Sequence, residues 1–272
     1  MKKFIISLLA AFLLTCTQVF AENIKFIQVT DLHLTDSEYS TKLFESAIED
    51  INSLSDVSFV VFTGDNIDYP KEIYLKHFIE IVGKLNVPYY IVIGNHDVYK
   101  SQNMSKARYL ELFRKKNLFF TQRKPNYKFK KKDFMFYIVD GAKEVIPGPV
   151  GYFRKDTLAW LDKQLTKNSK NPSVIFQHYP LVYPEGAEKR LKTHKTYKAE
   201  EYLEMLDKHN NVLAIVSGHL HTNGEIMRDG VYHISTPSMA NLPHSYKIID
   251  IVTTKEFSPI IYTQLREFEI KD

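Results

Sequence analysis

The feature that most constrains the fold is an alternation between short apolar runs and longer segments with helical spacing. The short runs are rich in Val, Ile, Phe and Tyr, and the longer segments repeat apolar residues every three or four positions. The predicted strands are Ile24–Val29, Val57–Thr63, Val87–Ile93, Phe134–Val139, Ser173–Gln177 and Val212–Ser217. The predicted helices are Thr41–Leu54, Lys71–Leu85, Ser105–Lys115, Asp156–Asn168 and Lys198–His209. This alternation predicts an α/β fold, with a largely parallel sheet covered by helices.

After Gly218 only strand-like segments follow, and Asp229-Gly230 marks a hairpin turn. No repeat, linker or low-complexity segment divides the sequence, so we expect one domain over residues 22–272. The predicted antiparallel tail of that domain consists of Glu225–Met227, Val231–Ser235, Tyr246–Val252 and Pro259–Leu265.

Residues 1–21 have the three parts of a secretory signal peptide. Two lysines precede the apolar run Phe4–Leu14, and Val19-Phe20-Ala21 places small residues where a signal peptidase reads. We therefore expect cleavage after Ala21 and export, to the periplasm or out of the cell. The run is shorter than the roughly 20 residues that span a bilayer, which disfavours a retained anchor.

An alternative for the N-terminus is lipid attachment at Cys16, which follows Leu13 and Leu14. Thr15 stands where such motifs prefer Gly or Ala. Cleavage after Ala21 would instead remove Cys16, the only cysteine. The mature protein would then have neither a disulfide nor a thiolate nucleophile.

Composition excludes some classes of function. The chain is 44% hydrophobic and 25% charged, as globular proteins are. Its net charge of +4 is too small to indicate a nucleic-acid-binding protein, whose basic residues normally form a patch. The lysines within residues 128–132 lie between two strand-like segments, and we interpret them as a solvated hairpin tip rather than an anion or membrane site.

Side chains that bind metals or transfer protons follow five of the predicted strands. In an open α/β sheet, ligands bind at the carboxyl ends of the strands. Side chains two apart in an extended chain point the same way, so Asp31 with His33, and His219 with His221, would each direct two groups into one cleft. The segments are Thr30-Asp31-Leu32-His33, Gly64-Asp65-Asn66-Ile67-Asp68, Gly94-Asn95-His96-Asp97, His178 and Gly218-His219-Leu220-His221.

Imidazole nitrogen together with carboxylate and amide oxygen suits Mn, Fe or Zn better than Mg or Ca. The remaining histidines have no such context, and we interpret them as structural or surface residues; they are His77, His194, His209, His233 and His244. Each motif alone is weak, because a Gly-Asp after a strand is usually a turn. Their order along the chain is far more specific.

The succession Asp-x-His, Gly-Asp-x-x-Asp, Gly-Asn-His-Asp, an isolated His and Gly-His-x-His resembles the calcineurin-like metallophosphoesterase superfamily. The resemblance runs from Asp31 to His221. The segments His178-Tyr179-Pro180 and Thr236-Pro237-Ser238 look most like the branch of bacterial cyclic-nucleotide phosphodiesterases. The fold that this resemblance implies is a four-layer αββα sandwich.

The resemblance also implies a role for each site residue. His96 would contact the phosphate and protonate the leaving oxygen, and Asp68 would orient His96. Two divalent or trivalent ions, Mn, Fe or Zn, would activate a bridging hydroxide for in-line displacement. Asp65 would bridge the ions, one held by Asp31, His33, Asp65 and His221, and the other by Asp65, Asn95, His178 and His219.

The implied substrate is a small phosphate ester, with neither a nucleic-acid partner nor a transmembrane helix in the mature chain. Protein phosphatases of the superfamily place Arg after the second Asp and use Gly-Asn-His-Glu, whereas this chain has Tyr69 and Asp97. A monoester dianion gains more from a guanidinium than a diester monoanion does, so phosphodiesters are favoured. The alternatives are an exported phosphomonoesterase or nucleotidase of the same superfamily, a non-catalytic metal-binding module, and an exported metalloenzyme of another class, such as an amidase.

Overall fold

The computed structural model describes residues 22–117, 120–253 and 259–271. The predicted signal peptide and Cys16 lie outside these residues, and the single domain over 22–272 stays a prediction. The described strands, in chain order, are β1 (Glu22–Val29), β2 (Val57–Phe62), β3 (Tyr89–Ile91), β4 (Tyr127–Lys131), β5 (Phe134–Ile138), β6 (Gly151–Tyr152), β7 (Ser173–Phe176), β8 (Thr196–Tyr197), β9 (Val212–Ser217), β10 (Gly224–Arg228), β11 (Val231–Ser235), β12 (Ser245–Thr253) and β13 (Ile260–Glu267).

Five of the six described α-helices begin and end close to the sequence-based boundaries, and the short helix between β7 and β8 was not predicted. Ser37 and Ser105 cap the first and third helices, because each side chain accepts a hydrogen bond from a backbone N–H three residues on. No described helix is both long enough and apolar enough to cross a bilayer. The helices are α1 (Glu38–Asn52), α2 (Glu72–Val82), α3 (Lys106–Lys116), α4 (Lys155–Lys167), α5 (Glu188–Leu191) and α6 (Ala199–Leu206).

The strands form two large sheets and one two-stranded pair, β6-β8. The first sheet has the order β13-β12-β1-β2-β3, and the second has the order β10-β11-β9-β7-β5-β4. Strands β1, β2 and β3 run parallel, and so do β5, β7 and β9. The carboxyl ends of each parallel set therefore lie at one edge of its sheet.

An aromatic core fills the space between the two large sheets. Phe26 and Phe59 of the first sheet stack at 5.0 Å, and both contact Phe136 of the second sheet edge-on. Phe176 stacks on Phe136 in the same layer. All four side chains are fully buried, and each contributes about 1.5–3 kcal/mol to folding.

Helices cover the outer faces of both sheets. Phe44 of α1, Phe62 of β2 and Phe78 of α2 form a buried trio on the first sheet. On the second sheet, Trp160 of α4 packs edge-on against Tyr137 of β5. The layers are thus helix, sheet, sheet and helix, which is the predicted αββα sandwich.

Two differences from the sequence-based expectation have physical causes. Strand β3 (Tyr89–Ile91) is shorter than the predicted Val87–Ile93, and its later start follows from Pro88, which has no N–H to donate to a neighbouring strand. The tail is not wholly antiparallel, since β11 pairs parallel with β9. β10 lies at the edge of the sheet, and the chain turns back after it to form β11. β11 therefore runs antiparallel to β10, and it lies between β10 and β9.

The basic segment around residues 128–132 forms the predicted hairpin. β4 and β5 pair antiparallel, with Lys132 and Asp133 at the tip. The side chains of Lys130 and Asp133 are 53% and 68% exposed, which agrees with a solvated tip.

Candidate metal centre

The five predicted segments meet at one edge, where the parallel strands of both sheets end. Within the first sheet, Asp31 N donates to Gly64 O at 3.0 Å. Within the second, Gly218 N donates to His178 O, also at 3.0 Å. Across the two sheets, His219 N donates to Asp31 Oδ2 at 2.9 Å. Ligand-type side chains from both sheets therefore share one site.

The backbone at this edge is left-handed at most of the predicted ligand positions. Asp31, His33, Asp65, His219 and His221 have φ between 49° and 70°, a region that non-glycine residues rarely adopt. The expected extended alternation within Asp31-x-His33 and His219-x-His221 is therefore wrong. Left-handed turns, not strand pleating, bring each pair of side chains together, and such strained conformations cluster at functional sites.

Two glycines allow the loops to approach this closely. A Cβ atom on Gly94 would lie 2.1 Å from Asp65 Oδ1, and one on Gly218 would lie 1.9 Å from Thr30 Oγ1. Both distances are well below the van der Waals contact distance of the two atoms. Any side chain at either position would push the ligand-bearing loops apart.

The first ligand group consists of Asp31, His33 and His221, whose ligand atoms lie within 4.8 Å of one another. Asp31 Oδ2 accepts hydrogen bonds from Thr30 Oγ1 and from His219 N. Asp31 Oδ1 makes none, although it is buried and lies 3.2 Å from His221 Nε2. Both ring nitrogens of His33 are also buried without a hydrogen bond.

The second group consists of Asp65, His178 and His219, all buried and again within 4.8 Å. His178 Nδ1 donates to Thr63 O at 2.8 Å, which leaves Nε2 facing Asp65 Oδ2 at 3.3 Å. His219 Nε2 donates to Pro149 O at 2.8 Å, which leaves Nδ1 with its lone pair, 3.1 Å from His178 Nε2. The backbone carbonyls thus fix both rings so that the other nitrogen of each could ligate a metal ion.

Asp65 and Asn95 complete the set. Asp65 belongs to the second group and also to a cluster with His33 and His96, so it lies between the two groups, where a bridging ligand must be. Asn95 Oδ1 is buried without a hydrogen bond. An unpartnered buried polar atom costs about 1–3 kcal/mol, and a bound cation would remove that cost. The donors fit transition-metal ions, and the assignment of each ligand stays a prediction.

The charges of these groups also suit cations. Burial alone would raise the pKa of Asp31, but His221, His178 and His33 together hold it below its ordinary value. Burial, followed by the charge of His178, lowers the pKa of His219 to about 3, so this ring is neutral and can donate a lone pair. Burial opposes protonation of His178, but Asp65 raises the pKa of His178 to about 9. A metal ion would displace that proton, as metal ligation generally requires.

His96 and Asp68 lie beside these groups, with 39% and 31% of their side chains exposed. His96 Nδ1 donates to the backbone oxygen of Asp68 at 2.7 Å, which leaves Nε2 for a substrate. The carboxylate of Asp68 is 3.8 Å from His96 Nδ1 but 3.3 Å from His33 Nδ1. Asp68 therefore orients His96 through its main chain, and its carboxylate contacts His33.

Asp97 is a supporting residue whose role the sequence did not reveal. Its buried carboxylate accepts hydrogen bonds from Gly94 N at 2.7 Å, Asn66 N at 2.9 Å and Ile67 N at 3.2 Å. Asp97 thereby ties the loop after β2 to the loop after β3. No ligand spacing in the sequence signals such a bond.

A cleft of about 400 Å³ opens next to His96, and Asp68, Tyr69, Asn95 and His194 also line it. A larger cavity of about 730 Å³ lies beside β3 and α3, but none of the predicted site residues line it. The smaller cleft is the candidate substrate site because the candidate acid His96 and the predicted ligand Asn95 line it.

Two residues of the segment between β7 and α6 reach the site unexpectedly. The ring of His194, interpreted from the sequence as a structural or surface residue, lies 5.1 Å from that of His219 and lines the cleft. Arg190 Nη2 donates to His221 Nδ1 at 2.9 Å. Neither residue follows a predicted strand, and no pattern in the sequence marks them.

The comparisons with known proteins agree with this geometry. The model of the calcineurin-like phosphoesterase family matches residues 24–223. A probable glycerophosphodiester phosphodiesterase of Arcobacter nitrofigilis is 28% identical over 203 residues, which are 72% of this chain and 71% of the relative. A 3′,5′-cyclic-nucleotide phosphodiesterase of Nostoc sp. is 25% identical over 226 residues, 79% of this chain and 78% of the relative.

Solved structures show the same fold. A dimetal phosphatase from Danio rerio superposes with a TM-score of 0.67 at 18% identity, over 88% of this chain and 98% of that protein. A purple acid phosphatase from yellow lupin superposes with a TM-score of 0.59 at 15% identity, over 91% of this chain and 52% of that protein.

The matched family segment contains every predicted ligand, and the ligand groups meet at one sheet edge as a metal-dependent phosphoesterase requires. The chain therefore belongs to the calcineurin-like phosphoesterase family and is a phosphoester hydrolase.

Proposed function

We propose that the protein is an exported phosphodiesterase that uses two metal ions, Mn, Fe or Zn, to hydrolyse a small phosphodiester. One observation carries the proposal: buried ligand atoms of Asp31, His33 and Asn95 have no hydrogen-bond partner and converge beside a cleft lined by His96. The matched relatives named as phosphodiesterases support the choice of diesters over monoesters.

The ligands would divide as the resemblance implies, with Asp31, His33, Asp65 and His221 on one ion, and Asp65, Asn95, His178 and His219 on the other. Bound ions would supply a nucleophile at neutral pH and neutralise the charge of the phosphate oxygens. Thr63 O and Pro149 O hold the rings of His178 and His219 in the orientation that ligation needs.

His96 provides the proton that the leaving oxygen needs. Its Nδ1–H is occupied by the carbonyl of Asp68, so the ring keeps one orientation and presents Nε2. Proton transfer from a positioned histidine contributes about 10²- to 10⁴-fold in rate. The partial exposure of His96 agrees with this role, because a general acid must reach a substrate that enters from solvent.

The preference for diesters is supported by Tyr69, which stands at the cleft where protein phosphatases of the superfamily carry an arginine. Candidate natural substrates of an exported enzyme are extracellular nucleotides, lipid head groups and cell-wall phosphodiesters. Cleavage after Ala21 is part of this proposal, and N-terminal analysis of the exported protein tests it. Glu22 as the first residue would support export, and a lipidated Cys16 would contradict cleavage at this site.

Metal removal tests the proposed reaction. Chelation should abolish hydrolysis of bis(p-nitrophenyl) phosphate, and Mn²⁺ should restore it to a rate above that with p-nitrophenyl phosphate. His178→Ala should lose activity, whereas the control His209→Ala should not, because His209 bonds Asp162 outside the ligand groups. Full activity of metal-free protein would refute the metal mechanism, and faster monoester hydrolysis would refute the diester preference.

A further inference from the structure

Arg190 of α5 is the one described arginine that touches a predicted metal ligand. Its Nη2 atom donates to His221 Nδ1 at 2.9 Å, and the Nε2 atom of the same ring lies 3.2 Å from Asp31 Oδ1. We propose that Arg190 binds a phosphoryl oxygen of the substrate when the metals are bound. This proposal rests on the proposed function and adds a substrate-binding residue to it.

The argument starts from the two nitrogens of the His221 ring. A guanidinium can only donate, so the contact with Arg190 makes Nδ1 of His221 an acceptor. A neutral imidazole then carries its hydrogen on Nε2, where it cannot ligate a cation. Ligation through Nε2 moves the hydrogen to Nδ1, which ends the hydrogen bond from Arg190. Metal binding by His221 and this bond to Arg190 therefore exclude each other.

Once released from His221, the guanidinium would need another partner for its charge. Arg190 forms no ion pair with a carboxylate among residues 22–117, 120–253 and 259–271. The nearby acid Glu188 instead accepts a hydrogen bond from Gly186 N at 3.0 Å. Arg190 is half-buried, so its charge is incompletely hydrated and gains from an anionic partner.

The segment that contains α5 reaches the candidate substrate cleft, so an anion bound in this cleft is the partner that we infer for Arg190. His194 lines the cleft, and its backbone N–H donates to Arg190 O at 2.9 Å. The cleft also borders Pro149, whose carbonyl holds His219. Arg190 itself does not line the cleft while it contacts His221, and the released guanidinium would turn from His221 toward an anion bound there. The planar guanidinium fork matches the oxygens of a phosphoryl group.

The effect of losing Arg190 should increase with the negative charge of the bound phosphate group. Inorganic phosphate and monoesters carry more negative charge than a diester, so they gain more from the guanidinium. We expect Arg190→Ala to weaken phosphate binding about 10- to 100-fold, as the loss of a hydrogen bond to a charged group does. The KM for a monoester should rise more than the KM for a diester, with kcat changed less.

The experiment measures inorganic phosphate binding to Mn²⁺-loaded protein by calorimetry, with metal content determined on the same samples. Arg190→Ala and Arg190→Gln should weaken binding at unchanged metal content, and Arg190→Lys should restore part of it. Lys189→Ala is the matched control, because it removes an exposed charge from the same helix and should bind phosphate as the wild type does. Thermal unfolding of each variant shows whether the fold is intact.

Unchanged phosphate affinity in folded Arg190→Ala and Arg190→Gln would overturn the proposal. A loss of metal in parallel with phosphate affinity would also overturn it, because Arg190 would then support His221 instead of the substrate. Equal weakening in Lys189→Ala would show a general effect of charge and would likewise refute a specific contact. Since phosphate binding needs no turnover, this outcome is independent of whether the wild type hydrolyses diesters.

Discussion

The candidate site has two regions that are built differently. The floor consists of Asp31, Asp65, His178 and His219, and the rim consists of His96, Asp68, Arg190 and His194. Floor atoms are held by backbone groups of both sheets, and their side chains are almost fully buried. Rim side chains are partly exposed, and they lie on loops or on the four-residue helix α5. The comparison teaches that the predicted metal ligands are buried and fixed at the sheet edge, whereas the residues proposed to contact the substrate lie on partly exposed segments outside the strands.

The largest expected effect comes from breaking the floor. Asp65→Ala should lose both metals, because Asp65 lies between the two ligand groups. Its activity should fall by more than the roughly 100-fold that substitution of a supporting residue around a metal can cost. Metal analysis and diester hydrolysis measure this.

The exposed carboxylate of Asp133 at the hairpin tip provides the control, and Asp133→Ala should keep both metals and full activity. If Asp65→Ala bound as much metal as the wild type, Asp65 would not be a metal ligand. The floor could then not be described as the metal-binding region of the site.

The second-largest effect is expected from a rim residue, His96, whose loss should affect the rate but not metal binding. His96→Ala should keep both metals and lose about 10²- to 10⁴-fold in rate on a diester with a poor leaving alcohol. The loss should be much smaller with p-nitrophenolate, which departs without a proton. Rates for the two leaving groups, with metal content on the same protein, provide the measurement. Equal losses for both leaving groups would show that His96 holds the phosphate and is not the general acid.

The third prediction tests whether the carboxylate of Asp68 supports the predicted ligand His33 or the rim residue His96. Asp68→Asn keeps the carbonyl that His96 contacts but changes the side chain 3.3 Å from His33. We therefore expect roughly 10-fold weaker metal binding, at the low end for supporting residues, and little change in leaving-group dependence. Titration of metal-free protein with Mn²⁺ measures the affinity. A leaving-group dependence like that of His96→Ala would assign the carboxylate to His96 after all.

The smallest effect concerns the carboxylate of Asp50, whose two oxygens, unlike Oδ1 of Asp31, both accept hydrogen bonds. Asp50 accepts two hydrogen bonds from Arg266, each 2.7 Å long, and one from Tyr246 at 2.5 Å. The hydrogen bonds from Arg266, and then from Tyr246, hold the pKa of Asp50 below its ordinary value despite partial burial. Asp50→Asn should cost about 1 kcal/mol of unfolding free energy, discounted for partial exposure, and no metal.

The pH dependence of this cost follows from the lowered pKa of Asp50. The carboxylate contributes its full stability above the unfolded pKa, near 3.9, and loses it as pH falls through the lower folded value. Urea unfolding of metal-free wild type and Asp50→Asn should therefore differ equally at pH 7 and pH 5, and the difference should shrink below about pH 4. A difference that grew with acidity would contradict this ion pair.

All four floor residues, but only His96 and Asp68 of the rim, were predicted from the sequence, and the difference has a physical reason. Strand periodicity locates the carboxyl ends of parallel strands, and Asp31, Asp65 and His178 follow those ends directly. Periodicity does not give turn conformation, so the left-handed backbone at His33 and His221 was not foreseen. Arg190 and His194 lie in a segment without regular periodicity, and only tertiary packing places them beside His219 and His221.

The left-handed backbone at the predicted ligand positions would also link metal supply to the lifetime of the protein. Each such residue costs roughly 1–2 kcal/mol in the folded state, and the buried carboxylates of Asp31 and Asp65 repel each other. Ions that bind only the folded chain offset these costs by mass action, in proportion to the logarithm of their concentration. An environment poor in metal would therefore leave more chains transiently unfolded and open to proteases. The abundance of the enzyme, and not only its turnover, would follow the metal that it uses.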